Sequence, residues 1–299
     1  MFDYHDFQQV FPAGSQLPYD GELQADIEDN RKTFGGVLFI DRVIKALGFA
    51  KGKVYPPKSD NGLRQLHRQI CEASMSLHHK FSILYYILLD FDESNARNLP
   101  SEAFSSSSGM PRNYQILMKG LWHLDHQEFS KSLEYIAHPS LIPDFADDIL
   151  TALVRHADDP TALAYYYTVR PILNSSSALQ LLFDAMARTN ITEALLFSRT
   201  QPEHTRETLF QRLLSVALGG KSQDFFSEVA FLPFEADEEA WLEEYLTNGD
   251  GRLLKKAKDT LLVRKIAGDR FEEMAQIRSG GQWGPVLDGI KTGTKGQTD

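Results

Sequence analysis

Histidines are the residues of this sequence whose type and spacing most readily suggest metal chemistry. Among nine histidines, the tightest group is His123-Leu124-Asp125-His126, in which imidazoles three positions apart can share one face of a helix. Against a metal site, Asp125 and Glu128 have the spacing of a capping box, which predicts a helix boundary between the two imidazoles. The sequence offers no third ligand nearby. We therefore expect these residues to be structural, and we predict no metal and no cofactor.

Two further histidines, His78 and His79, are adjacent, so their rings leave a helix about 100° apart and cannot easily chelate one ion. One alternative stays open. It is a hydrolase whose site is assembled from helices distant in sequence, around these two residues together with His123 and His126.

Acidic clusters lie at 22–29 and 235–239 and could hold acid–base pairs. Their position near helix starts instead favours carboxylates that face solvent in the first turn of a helix.

A phosphate-binding loop is suggested by Gly220-Lys221-Ser222, which ends like one. The first glycine of that motif would fall at Ser215, inside a predicted helix with no strand before it. The patterns Gly-x-Ser-x-Gly, His-Glu-x-x-His and Gly-x-Gly-x-x-Gly do not occur. Because the commonest local signatures of hydrolases, metalloproteases and dehydrogenases are missing, we predict a protein that is not an enzyme and has no small-molecule substrate.

Charge argues against a nucleic-acid partner. The 41 acidic and 31 basic residues leave a formal charge of -10, so the surface repels a phosphate backbone unless its basic residues are segregated. The stretch 252–270 is locally basic, but leucine and alanine interleave with its lysines at helical spacing. This pattern favours an amphipathic terminal helix with a solvated basic face. We expect no direct contact with nucleic acid.

Neither a disulfide nor a membrane segment is expected. Cys71 is the single cysteine, which fits a reducing compartment such as the cytosol or nucleus. The longest near-apolar stretch, 81–89, is far short of the roughly 20 residues that span a bilayer. The N-terminal sequence lacks the basic and apolar regions of a secretory signal, so we expect the protein not to be exported.

The elements that must position these residues are helices. From Leu63 to Leu88, apolar residues follow alternating steps of mostly four and three, and the same rhythm returns in short units farther along the chain. Strand-like alternation is missing, so we predict an all-α fold of about ten helices. Short loops favour antiparallel helical hairpins stacked as an irregular α-solenoid, with a compact bundle as the alternative.

We predict one helical domain over residues 1–267, with an extended or helical lead-in over 1–35, and an extended, flexible polar tail over 268–299. Residues 95–112 contain four consecutive serines and are predicted to form a flexible loop.

The tail carries large apolar residues at a place where no core follows. They are Trp283, Val286, Leu287 and Ile290. Aromatic and aliphatic anchors of this kind dominate protein interfaces, so one prediction is a short motif that docks into a groove of another protein. The alternative is that the segment folds back on its own domain.

Several segments of packing residues resemble the ELYS-like domain of nuclear pore assembly proteins. They are residues 36–44 (Gly-Val-Leu-Phe-Ile-Asp-Arg-Val-Ile), Tyr55-Pro56-Pro57, the helical run 63–70, and the helix 77–90 that ends in Leu-Tyr-Tyr-Ile-Leu-Leu-Asp. The resemblance continues through the helical hairpins to about residue 268. The chain has no Arg-Gly-Arg-Pro hook and begins almost directly at this domain, so we expect it to correspond to the short fungal form of the family.

This resemblance implies a non-enzymatic scaffold of the nuclear pore complex, located in the nucleus at the nuclear envelope. The implied partners are the coat nucleoporins of the Y-shaped complex, with docking near a β-propeller nucleoporin of its long arm. Pore assembly, and through it the transport of protein and mRNA, is the implied role. A generic helical adaptor of the cytosol is the alternative, and it differs only in partner and place.

Overall fold

The computed structural model describes residues 2–11, 17–48, 54–94, 99–219, 224–268, 270 and 289. Within these residues all regular secondary structure is helical, with sixteen α-helices and one 3₁₀ helix, so the predicted all-α class is confirmed. The chain forms two compact units, Met1–Ile172 and Leu173–Asp299. Stacking of the hairpins into a solenoid stays a prediction, as does a domain boundary at residue 267.

None of the helices in the described part of the chain combines the length and the apolar character needed to cross a membrane.

The first unit is built around one central helix. Its helices in chain order are α1 (Phe7–Val10), α2 (Gly21–Thr33), α3 (Phe39–Ala46), α4 (Asp60–Glu72), α5 (Leu77–Ser94), α6 (Pro100–Ser108), α7 (Arg112–Asp125), α8 (Phe129–Ile136), α9 (Ala146–His156) and α10 (Asp159–Val169). Helix α5 packs against α3, α4, α6 and α7, and α7 packs in turn against α8. Residues 81–91 of α5 are all buried, as expected for a helix that is apolar on every side.

The predicted flexible loop over 95–112 is wrong for half of its length, because Pro100–Ser108 forms helix α6. The carboxylate of Asp92 holds the start of this helix by accepting hydrogen bonds from the N–H and the hydroxyl of Ser101, at 3.0 and 2.5 Å. Farther along, the ring of Phe104 packs edge-on against Phe2 and Phe81, with centroids 5.6 Å apart in both pairs. These tertiary contacts outweigh the modest helix propensity of consecutive serines.

The second unit is arranged around α13. Its elements are α11 (Ser176–Thr189), α12 (Ile191–Arg199), α13 (Glu203–Gly219), α14 (Asp224–Phe231), α15 (Ala236–Thr247), a 3₁₀ helix (Asp250–Leu253) and α16 (Ala257–Ala267). Helix α13 packs against α11, α12, α14 and α15. Helix α16 closes the unit against α14 and α15.

We predicted that the basic residues of the terminal helix face solvent, and this prediction is wrong for two of them. Arg264 and Lys265 on α16 are both only 8% exposed. The Arg264 guanidinium donates to the carbonyl groups of Val229 and Leu232 at 2.8 and 3.0 Å, at the end of α14. Such carbonyls have no partner within their own helix, so a cation is well placed there. Lys265 pairs with Glu243 at 2.8 Å. These two cations serve internal packing.

Helices α7 and α8 approach closely at Gly120. A Cβ atom at this position would lie 2.6 Å from Cγ2 of Ile136 and 3.3 Å from its backbone nitrogen. We expect Gly120→Ala to lower the free energy of unfolding by about 1–3 kcal/mol, because the overlap outweighs the higher helix propensity of alanine. Urea unfolding followed by circular dichroism measures the change.

Gly21→Ala is the matched control. Gly21 begins α2, and a Cβ there would have no atom within 4 Å. This variant should be as stable as the wild type or slightly more stable. If Gly120→Ala were equally stable, the close approach of α7 and α8 would be wrong.

Candidate functional site

Two of the segments that carry the family resemblance, 36–44 and 77–90, meet at a buried carboxylate of α7. The Asp125 side chain, 2% exposed, accepts hydrogen bonds from the N–H of Phe39 at 2.7 Å and of Ile40 at 3.0 Å. These are the first two N–H groups of α3, which have no partner within their own helix. The Tyr86 hydroxyl of α5 donates to the same carboxylate at 2.7 Å. Asp125 therefore caps α3 from another helix and joins α3, α5 and α7.

The predicted capping box of Asp125 and Glu128 is consequently wrong. Asp125 is the last residue of α7, and α8 begins after Glu128. The Glu128 carboxylate instead contacts Nδ1 of His123 at 2.6 Å and the Lys131 ammonium at 2.5 Å. The predicted helix boundary between His123 and His126 does exist, but Asp125 has a different role at it.

A second carboxylate, Asp90 near the end of α5, lies in the same interior and is 1% exposed. The hydroxyls of Tyr19 and Tyr55 donate to its Oδ2 at 2.6 and 2.9 Å. The indole N–H of Trp122 on α7 donates to Oδ1 at 2.7 Å. We call these residues, together with Asp125 and Tyr86, the carboxylate cluster. All its donors are neutral, and each comes from a different part of the first unit.

Burial sets the ionisation of the carboxylate cluster. It raises the pKa of Asp125 to about 6, even though three donated hydrogen bonds act in the opposite direction. It also raises the pKa of Asp90 above its usual value. Burial, reinforced by the two carboxylates, holds the pKa values of Tyr19, Tyr55 and Tyr86 well above the usual range, so they remain donors at neutral pH. Both carboxylates are at most 2% exposed and are bound by donors from several segments, so the cluster fixes the packing of the first unit.

An arginine completes the polar interior. Arg31, at the end of α2, is 1% exposed. Its guanidinium donates through Nε to Asp41 at 2.9 Å, through Nη1 to Glu28 at 2.6 Å and through Nη2 to the carbonyl of Tyr55 at 2.7 Å. Asp41 also accepts from the N–H of Leu38 at 3.0 Å. Arg31 thereby fixes the end of α2, the start of α3 and the Tyr55 turn relative to one another.

The predicted histidine candidates take structural partners. The Nδ1 atom of His126 lies 2.8 Å from the carbonyl of Trp122, and its ring stacks on the indole with centroids 3.9 Å apart. The rings of His78 and His79 both pack against the ring of Tyr114, with centroids 5.6 and 6.2 Å apart. In the part of the chain that the structure describes, no three His, Cys, Asp or Glu side chains are placed to hold a metal ion.

The residues predicted as the docking motif of the tail, Trp283, Val286, Leu287 and Ile290, lie outside the described residues. Their binding role stays a prediction. Gly220-Lys221-Ser222 also lies outside them, while Gly219 is the last residue of α13.

A cleft of about 190 Å³ opens on the surface of the first unit, between the turn that follows α2, helix α3 and helix α9. We call it the Arg42 cleft, and its lining includes Phe34, Val37, Arg42, Asp148, Arg155 and His156. The chain turns into α3 through Gly35 and Gly36, whose φ angles of 70° and 92° favour glycine. The Arg42 guanidinium donates through Nη1 to Asp148 at 2.8 Å. Val37, Phe39 and Arg42 of the segment 36–44 line this cleft.

Sequence reasoning missed the partners of Asp90, which are Tyr19, Tyr55 and Trp122. A signal was present. Residues 81–89 contain no charged residue, so a carboxylate that follows them on the same buried helix requires donors from elsewhere. The identity of those donors depends on the tertiary fold, and nothing in local spacing indicates it.

The fold is all-α, and the buried parts of the motif segments join its helices, so the first unit is a helical packing domain. The fold alone does not define a function. The chain matches the family model ELYS, described as nuclear pore complex assembly, over residues 37–249, which is more than half of its length. The chain therefore belongs to the ELYS family, as its packing segments predicted.

Individual relatives agree with this membership. "Uncharacterized protein ely5" of Schizosaccharomyces pombe is 27% identical over 271 residues, which cover 88% of this chain and 85% of the relative. Protein ELYS of Homo sapiens is 24% identical over 228 residues, or 70% of this chain, and that of Xenopus laevis is 25% identical over 199 residues, or 64%. The aligned parts make up only 10% of the human protein and 8% of the frog protein.

The raised pKa of Asp125 predicts a specific pH dependence of stability. The folded state holds its proton up to about pH 6, whereas the unfolded chain releases it near the ordinary value of about 3.9. Ionisation of the unfolded chain therefore favours unfolding as the pH rises between these values. Relative to Asp125→Asn, which does not titrate, the wild type should lose about 1 kcal/mol of unfolding free energy between about pH 5 and pH 7.

Urea unfolding of both proteins at several pH values measures this difference. Glu238 is a useful contrast, because its burial is outweighed by the hydrogen bonds from Arg199 and from the N–H of Glu235 together with the charges of Arg199 and Arg206. These lower its pKa, so Glu238 contributes stability that is lost as the pH falls. That contribution is common to both proteins and cancels in the comparison. A difference between the proteins that does not vary with pH would contradict the raised pKa of Asp125.

Proposed function

We propose that this chain is a non-enzymatic scaffold component of the nuclear pore complex. It joins the Y-shaped coat, docks near a β-propeller nucleoporin of the long arm and supports pore assembly, and through it the transport of protein and mRNA. It acts in the nucleus, at the nuclear envelope, without contacting nucleic acid or inserting into the membrane.

The observation that carries this proposal is the match to the nuclear pore assembly family over residues 37–249. The interior gives independent support, because its perturbed carboxylates are bound by neutral donors and closed to solvent. A chain of charge -10 is also poorly suited to a phosphate backbone. A protein whose polar residues hold its own helices together is suited to binding other proteins through its surface.

Affinity purification tests the proposal directly. The tagged protein, recovered from its native cells at moderate salt, should bring down coat nucleoporins in near-stoichiometric amounts, identified by mass spectrometry. The fluorescent fusion should mark the nuclear rim. An unrelated acidic helical protein carrying the same tag is the control. Recovery of the protein alone, or with cytosolic partners only, would remove the pore assignment and favour the cytosolic adaptor.

The tail gives a second prediction. If Trp283 and Leu287 anchor the docking motif, alanine at both positions should weaken binding to purified coat nucleoporins by at least about tenfold, because few anchors carry most of an interface's affinity. The change is measured by titration calorimetry. Leu253→Ala is the control, since Leu253 is 80% exposed and lies outside the motif. Unchanged affinity of the double variant would exclude the tail as the docking element and leave the scaffold role intact.

A further inference from the structure

The Arg42 side chain, which lines the cleft, has a donor without a partner among the residues that the structure describes. Arg42 gives one hydrogen bond to Asp148, through Nη1 at 2.8 Å. Its Nε atom is buried, and no acceptor in the described part of the chain bonds to it. Most buried polar groups in folded proteins are paired, because leaving one unpaired lowers stability. This N–H is enclosed by the protein, whereas the Arg42 side chain as a whole is 32% exposed and lines the open cleft, where an acceptor from outside can reach it.

A second cation lines the same cleft. Arg155 on α9 is exposed, and no carboxylate in the described part of the chain lies within ion-pair distance of it. Its neighbour His156 packs edge-on against Phe34 with centroids 5.1 Å apart. The two positive charges of Arg42 and Arg155 outnumber the single negative charge of Asp148 in the lining of the cleft. The cleft is therefore locally positive on a chain whose formal charge is -10.

The remaining wall of the cleft is apolar. Val37 is 40% exposed and Phe34 is half-buried beside it. Leu38, Phe39 and Ile40, in the same segment of the chain, are buried in the core. Val37 and Arg42 thus belong to the segment that carries the family resemblance, yet their exposed parts are not explained by packing. The cleft offers a carboxylate-binding end next to an aliphatic wall.

We propose that the Arg42 cleft is a docking site for an acidic segment of a coat nucleoporin, in which an Asp or Glu side chain binds Arg42 and Arg155 and an adjacent aliphatic residue packs on Val37. This inference rests on the proposed function and deepens it by naming the surface and the chemistry of the partner. A carboxylate fits better than a nucleic-acid backbone, because Asp148 already lines the cleft and the charge of the whole chain opposes a polyanion.

The test measures the affinity of the full chain for the purified coat nucleoporins of the same organism, including the β-propeller members of the long arm. The variants are Arg155→Glu, which reverses the unpaired cation, and Val37→Asp, which places a carboxylate on the apolar wall. Arg68→Glu is the matched control, because Arg68 is also an exposed arginine of the first unit and does not line the cleft. Thermal unfolding of all variants checks that each one folds.

We expect Arg155→Glu and Val37→Asp each to weaken binding by at least about tenfold, since like charges at an interface are strongly unfavourable. Arg68→Glu should bind within about twofold of the wild type, and Arg155→Lys should retain most of the affinity. If a folded cleft variant binds as tightly as the wild type, the cleft proposal is wrong while the scaffold role stands. If the wild type itself does not bind coat nucleoporins, the proposed function fails, and the inference fails with it.

Discussion

A carboxylate on a helix that is buried on every side must find its hydrogen-bond donors inside the protein, and this requirement organises the first unit. Asp90 on α5 accepts its hydrogen bonds from three neutral donors, so Tyr19, Tyr55 and Trp122 must all reach it. Each donor left unpaired would be expected to lower stability by about 1–3 kcal/mol. The turn at Tyr55 and the position of α7 are therefore fixed by one side chain. Asp125 repeats the arrangement with Tyr86 and the first amides of α3.

Two buried carboxylates with raised pKa values and several tyrosines would ordinarily suggest acid–base catalysis, because perturbed groups concentrate at active sites. The geometry here argues for another cause. Every donor points at a carboxylate, and both carboxylates are at most 2% exposed. Desolvation is the largest contribution to each raised pKa. The shifts are a consequence of the way the helices are joined, so they give no support to a dispersed hydrolase site.

The sequence predicted helices where the apolar period is strong, as in α4 and α5, and the helical class of the whole follows from that period. It failed where a residue's partner lies far away in the chain. The serines of α6 have modest helix propensity, but Phe104 is held by Phe2 and Phe81. The Asp125 pattern looks the same whether the carboxylate caps its own helix or another one. Arg264 appeared solvated because the carbonyls it binds at the end of α14 come from more than 30 residues earlier.

Family membership and partner choice depend on different residues of this chain. The recognisable segments are recognisable because they supply the interior: the first amides of α3, the Tyr55 turn, and the tyrosines and Asp90 of α5. A motif made of such residues specifies the fold, and a fold alone does not select a partner. The choice of partner must depend on side chains that stay exposed at the surface. In the segment 36–44, Leu38 to Ile40 are committed to the core, whereas Val37 is 40% exposed and the Arg42 side chain is 32% exposed. Recognition can therefore change through such surface residues while the carboxylate cluster keeps the helices in place.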